Sequence, residues 1–199
     1  MKRVGMGVLI VFAVCIFFSV NNAGASSVQD QLKATIDQVM AILRDPSLKG
    51  DAQTEKRRAA LRRVIHERFS FARMSQLSLA RHWKTRSDAE KKVFVELFGQ
   101  LLEQTYVAKV EAYNDEKVVY LKEFVKEKRA QVNTTVITGT LEIPIDYRLY
   151  QSTDGSWMVY DIVIEGVSLV GNYRSQFDQI LQKDPYEKLV EELKKKINS

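Results

Sequence analysis

His66 and His82 are the only imidazoles in the 199-residue chain, and Cys15 is its only thiol. Two histidines cannot build a three-histidine zinc centre, and one cysteine cannot build a tetrahedral Cys/His site. Composition leaves a carboxylate-rich site open, but no spacing suggests one. Ser168 lies in Gly166-Val167-Ser168-Leu169-Val170-Gly171, at a strand-to-helix junction where a hydrolase would carry its nucleophile. Such an elbow needs a glycine two residues after the serine. Here Gly171 comes three after it, and no histidine follows Ser168 to complete the serine, acid, histidine order. Ser168 therefore reads as the N-cap of the helix that follows. Asp161 and Glu165 share a strand face about 13 Å apart at the usual strand rise, further than either glycosidase carboxylate spacing. Asp161 interrupts an apolar strand and needs a partner if buried, with Arg174 or a backbone amide as the candidates. The residues support no catalytic set, so a non-enzymatic protein without a cofactor is expected.

The elements that carry these residues follow from periodicity. Val28 to Arg44 has apolar residues at Val28, Leu32, Ile36, Val39, Met40 and Leu43, one helical stripe that ends at Asp45-Pro46. A second helix spans Thr54 to Arg68 and a shorter one Phe71 to Leu79. Ser87-Asp88-Ala89-Glu90 forms a capping box that opens a long helix to about Glu111. After Asn114 the period becomes two. Val118 to Val125, Ala130 to Thr138, Leu141 to Gln151 and Ser156 to Glu165 read as four strands, with turns at Thr138-Gly139-Thr140 and Ser152-Thr153-Asp154-Gly155. Leu169 to Gln182 returns to helix, and Asp184-Pro185 is expected to cap a last helix ending near Ile197. The order predicts one α+β domain built on a four-stranded antiparallel meander.

Two strands differ in their faces. Ile143, Ile145, Tyr147 and Leu149 alternate with Glu142, Pro144, Asp146 and Arg148, giving one buried and one wet face. In the fourth strand Trp157, Val159 and Val163 share one face while Met158, Tyr160, Ile162 and Ile164 share the other, so it is apolar on both sides apart from Asp161. Either helices cover both faces, or one face and the aromatic Phe94 to Tyr106 helix enclose an apolar site.

The N-terminus and the charge distribution bear on where such a site would work. Lys2 and Arg3 precede a 17-residue apolar run from Val4 to Val20, and Ala23-Gly24-Ala25 offers small residues at the positions a signal peptidase reads. Cleavage after Ala25 is expected, leaving residues 26–199 as an exported single domain. That removal takes the formal charge from +5 to +3. Lys56 to Lys92 holds twelve basic against three acidic residues, a local +9. Such a stretch is either a solvated helical face or a surface for an anionic partner such as a membrane. Export and the lack of a binding motif weigh against nucleic acid.

The stretch Trp157-Met158-Val159-Tyr160-Asp161-Ile162-Val163-Ile164-Glu165-Gly166-Val167-Ser168-Leu169-Val170-Gly171-Asn172-Tyr173-Arg174-Ser175-Gln176-Phe177 closely resembles the MlaC family, the auxiliary component of the Mla ABC transport system. Phe69-Ser70-Phe71-Ala72-Arg73-Met74, Ala80-Arg81-His82-Trp83, and then Phe94, Phe98, Leu101-Leu102 and Tyr106 look like its helical motifs in order. The resemblance implies a periplasmic phospholipid carrier working between an outer-membrane lipoprotein-porin complex and an inner-membrane ABC transporter with an MCE-domain ring, with transient contact to a membrane surface. It also implies a twisted sheet and helices enclosing a cavity for acyl chains. The residues it favours for lipid contact are Phe94, Phe98, Leu101, Tyr106, Ile145, Tyr147, Val159, Val163, Val167 and Tyr173. A carrier of a hopanoid or other isoprenoid, or an adaptor without a ligand, stays open at this point.

Overall fold

A computed structural model describes residues 27–112 and 116–198, so the expected signal peptide, residues 1–25, lies outside the described residues. The chain runs through α1 (Val28–Arg44), α2 (Thr54–Arg68), α3 (Phe71–Leu79), α4 (Asp88–Glu111), β1 (Lys117–Lys126), β2 (Arg129–Thr138), β3 (Leu141–Gln151), β4 (Trp157–Ile164), β5 (Val167–Ser168), α5 (Leu169–Leu181) and α6 (Tyr186–Ile197). Short 3-10 turns cover Pro46–Leu48, Asp51–Gln53 and Ala80–Thr85.

Local chemistry sets the helix starts. Ser27 and Asp30 close a reciprocal capping box on α1, and Ser87 and Glu90 do the same on α4. Ser168 caps α5 by accepting from the Gly171 amide at 2.9 Å. A Cβ at Gly171 would itself sit 2.9 Å from that hydroxyl, which is why a glycine stands there. At α6 the expectation is corrected: Pro185 occupies the N-cap and makes no side-chain capping bond. With proline's φ already suited to helix entry, the start needs less from Asp184.

The sheet is antiparallel throughout, in the order β1-β2-β3-β4-β5. The α+β architecture stands as the sequence implies, with one addition to the four-stranded meander. A tight turn at Glu165 and Gly166, both at positive φ, folds Val167 and Ser168 back onto Val163 and Ile164 as a two-residue fifth strand. Consecutive positive φ values are those of the turn that joins twisted strands most closely.

Two register shifts matter more. Leu149 pairs with Val159 but Arg148 with Asp161, so Tyr160 is an extra residue in β4. Tyr120 pairs with Thr134 but Lys122 with Asn133, so Leu121 is an extra residue in β1. An extra residue moves every later side chain to the other face. Strict alternation along β4 therefore fails: Val159 shares a face with Leu149, whereas Val163 lies opposite Asp146 on the other side. Ile162 and Ile164 pair with Tyr147 and Ile145 and join Val159's face instead.

Two apolar cores result. One lies within the helical layer, where Met74, Leu79, Phe94, Phe98, Leu101, Leu102, Val170, Tyr173, Phe177, Leu189 and Leu193 are buried together. The other lies between α1 and one end of the sheet, formed by Val28, Leu32, Ala130, Val132, Leu149, Trp157 and Val159. Arg68 ties the second core shut: its guanidinium donates to the Trp157 carbonyl at 2.7 Å and reaches Gln31 and Thr35 of α1.

Candidate functional site

Cross-strand partners place the apolar inner face of the sheet in rows. Val125, Ala130, Leu149 and Val159 form one row, Val132, Tyr147 and Ile162 the next, and Tyr120, Thr134, Ile145 and Ile164 a third. Beyond them Val118, Val136 and Ile143 make a fourth. Helix α1 covers the central strands of the first row through Val28 and Leu32. Over the later rows burial is incomplete, and Val118, Tyr120, Val136, Ile143, Ile145, Tyr147, Ile162 and Ile164 are all only half-buried. Val132 and Thr134 between them are fully buried, so the inner face is closed at its centre and half-covered around it.

A cleft opens there between α1 and β1. Its volume is 410 Å³, and Ile36, Met40 and Ala41 of α1 face Val118 and Tyr120 of β1 across it. Lys33, Asp37, Arg44, Glu116 and Lys117 ring the apolar walls, with Lys33 and Asp37 joined at 2.6 Å. That size falls within the range of small-molecule sites, and a charged rim on apolar walls suits an amphiphile.

Tyr147, on the inner face beside the cleft, packs half-buried against the core under α1. Burial alone pushes its hydroxyl up to about 12, although its surface is only partly covered. Burial also raises Tyr120, with Tyr147 and Asp37 adding to the shift, and its hydroxyl is buried with no hydrogen-bond partner among the described residues.

The ten residues singled out from sequence divide by location. Ile145 and Tyr147 lie on the half-open inner face. Phe94, Phe98, Leu101 and Tyr173 pack on one another in the helical core, with the Phe98 and Tyr173 rings edge to face at 5.1 Å. Tyr106 packs half-buried against that core, and burial raises its hydroxyl too. Val159 sits beneath α1, Val163 is buried on the opposite sheet face, and Val167 on β5 is 60% exposed. Tyr120, Val118, Ile162 and Ile164 complete the inner face but were not among the ten. Tyr120 and Val118 carried the period-two signal of β1, whereas Ile162 and Ile164 were hidden by the extra residue at Tyr160.

Asp161 is buried and bonded on three sides. It accepts from Arg148 at 3.0 Å, from the Ser168 hydroxyl at 2.7 Å and from the Val170 amide at 3.0 Å. The expected backbone amide is there, but Arg148 across the bulge takes the place expected for Arg174. Arg174 instead donates to the Leu77 carbonyl at 2.9 Å. Its position after the β4–β5 turn points it towards α3 rather than back to the strand.

The basic Lys56 to Lys92 segment is largely occupied within the molecule. Arg57 and Arg58 both hold Glu111, Arg62 holds Glu103, Arg81 and His82 hold Asp178, Arg86 holds Glu90 and Lys91 holds Asp88. The Glu111 and Glu103 pairs tie α2 to the C-terminal half of α4.

Comparison with known proteins agrees with this architecture. Residues 33–195 match the family described as MlaC protein. The chain is 27% identical over 119 residues to the intermembrane phospholipid transport system binding protein MlaC of Haemophilus influenzae. That alignment covers 56% of this chain and 55% of the relative, so the chain spans about half the length of the curated relative it matches. Its fold superposes with a TM-score of 0.78 on a phospholipid-binding protein of Ralstonia solanacearum solved in complex with a phospholipid. That match is 27% identical in sequence and covers 87% of this chain and 98% of the other. With the family match extending over most of its length, the chain belongs to the MlaC family.

Proposed function

We propose that this protein carries phospholipid through the periplasm, holding acyl chains against the inner face of the sheet under α1 while the headgroup stays at the charged rim. The observation that carries the reading is the half-open apolar face around Tyr147, in a fold like that of a protein solved with a phospholipid bound. Ile145, Tyr147, Ile162, Ile164 and Val118 are the proposed tail contacts, with Tyr120 at the entrance. Phe94, Phe98, Leu101, Tyr106 and Tyr173 would act mainly by holding the helical layer rigid, and Val159 by packing the sheet against α1.

The energetics suit a shuttle. Two tails of about 30 methylenes at ~0.8 kcal/mol each represent roughly 24 kcal/mol against water. Moving them from a bilayer into an apolar cleft exchanges one apolar environment for another, so the net difference is small. The cleft removes the barrier of crossing water without any covalent chemistry. Direction then comes from differences in affinity along the route or from an ATP-driven partner. Following the family, those partners are an inner-membrane ABC transporter with an MCE-domain ring and an outer-membrane lipoprotein-porin complex. Apolar contacts discriminate weakly by chain length, so broad acyl tolerance is expected.

Native mass spectrometry of the exported chain, purified without detergent and followed by lipid extraction, tests the reading. One phospholipid per chain is the expected mass. A hopanoid or other isoprenoid would keep the cleft and change its cargo. A chain that stays empty after incubation with liposomes would leave an adaptor without a ligand.

A further inference from the structure

Besides Lys56, Arg63, Lys84 and Lys92 of the basic helical segment, a second run of exposed cations lies at the edge of the sheet. Lys117, Lys122, Lys126, Lys128 and Arg129, along β1 and its turn into β2, are all exposed, and none forms an ion pair among the described residues. Between them stand three large apolar side chains open to water: Leu121 at 58%, Phe124 at 56% and Val125 at 52% exposure. Phe124 is on the outer face opposite Gln131, Val125 is on the inner face opposite Ala130, and Leu121 is the extra residue of the bulge. The three therefore project around the free edge of the sheet as a ridge rather than lying flat on one side.

An exposed edge could also recruit a partner strand, but this one carries lysines and a bulge, which are features that obstruct strand addition. Apolar side chains ringed by unpaired cations instead match a bilayer surface, where the apolar groups enter the interface and the cations face anionic headgroups. Of the two acidic side chains in the ridge, Glu123 is turned away, accepting from the Gln29 amide at the start of α1. The ridge also adjoins the cleft, since Lys117, Val118 and Tyr120 of the same strand line it.

We propose that the β1 edge, with Leu121, Phe124 and Val125 set among Lys122, Lys126 and Lys128, is the surface by which this chain contacts an anionic phospholipid bilayer, placing the cleft entrance at the membrane. The proposal rests on the carrier reading and specifies where exchange takes place. Membrane attraction of about fivefold for each lysine makes the contact transient and salt-sensitive.

Co-sedimentation of the exported chain with vesicles tests it, comparing phosphatidylglycerol mixed into phosphatidylcholine with phosphatidylcholine alone, at low and physiological salt. Wild type should bind the anionic vesicles and release from them as salt rises. Leu121→Ser with Phe124→Ser should lose most of the binding, and Lys122→Ala, Lys126→Ala and Lys128→Ala together should lower it by about two orders of magnitude. These positions are exposed, so melting temperature should hold. Lys56→Ala with Arg63→Ala, on α2, should leave binding unchanged. Equal binding to neutral vesicles, or binding that survives the ridge substitutions or disappears with the α2 pair, overturns the proposal. Copurified lipid measured on the same samples separates the two readings. A lipid-loaded chain without vesicle binding refutes the surface alone, and a chain that binds vesicles but never holds lipid refutes the carrier.

Discussion

The Ser168 hydroxyl donates a 2.7 Å hydrogen bond to Asp161 while accepting one of 2.9 Å from the Gly171 amide, so one side chain joins the last long strand to the helix behind it. Asp161 also takes the Val170 amide and Arg148, and its carboxylate is almost fully buried. Asp161→Ala leaves a buried amide and hydroxyl unanswered, while Arg148 can still reach water. The expected cost is about 3 kcal/mol, near the lower end for breaking a buried pair. At roughly 2 to 4 °C per kcal/mol for a chain of this size, that lowers the melting temperature by roughly 6 to 12 °C. Thermal unfolding at neutral pH reads the effect, and a shift below about 2 °C would mean the network is dispensable.

The helical core and the cleft should separate in mutants. Phe98 is fully buried against Phe94, Tyr173 and Phe177, so Phe98→Ala should cost about 4 kcal/mol through the cavity it leaves. Ile145 is half-buried on the inner face, and Ile145→Trp adds bulk that can lean towards its uncovered side. That variant should change stability by less than about 1 kcal/mol while copurified lipid falls well below one per chain. Denaturant unfolding combined with lipid extraction tells the two outcomes apart. Full lipid occupancy in Ile145→Trp would remove this residue from the site.

Tyr120 gives a test of opposite sign. Its buried hydroxyl has no partner among the described residues, so Tyr120→Phe removes a desolvated polar group and keeps the ring. Stability should stay level or rise by about 1 kcal/mol. A loss of that size in urea unfolding would show that the hydroxyl is bonded in the folded protein.

Acid should loosen the joint between α2 and α4. Burial would raise Glu111, but hydrogen bonds from Arg58 and Arg57 outweigh it and hold its carboxyl below the ordinary value of 4.5. A depressed folded value means the stabilisation is complete above the ordinary range and disappears as pH falls through the folded one. Glu111→Gln should therefore be less stable than wild type at pH 7, with the difference shrinking below about pH 4. Parallel urea curves from pH 7 to pH 3 would show it, and a difference that persists at acid pH would point to packing rather than charge.

Much of the framework was legible because its signals are local. Ser87 with Glu90, Asp45 with Pro46, and Ser168 before α5 place helix ends through chemistry within four residues. Gly139 and Gly155, both at positive φ, mark the hairpin turns in the same way. The cleft was only half legible. Ile145 and Tyr147 obey an unbroken period of two along β3, whereas in β4 the extra residue at Tyr160 exchanges Val163 for Ile162 and Ile164 on the inner face. A bulge is set by pairing with the neighbouring strand, and alternation within one strand cannot reveal it. Phe94 and Phe98 drew attention as an aromatic stripe, yet such a stripe fits a sealed core as well as a site, and only the surrounding α5 and α6 decide between them.

The most direct test locates the tails themselves. A crystal of the chain loaded with phospholipid brominated along its acyl chains would place them by anomalous scattering. Bromine positions are expected within about 4 Å of Ile145, Tyr147 and Ile162, the distance of apolar contact, beneath α1. Bromine among Phe94, Phe98 and Tyr173, or in the 540 Å³ groove where α4's Val93 faces α6's Val190, would contradict it.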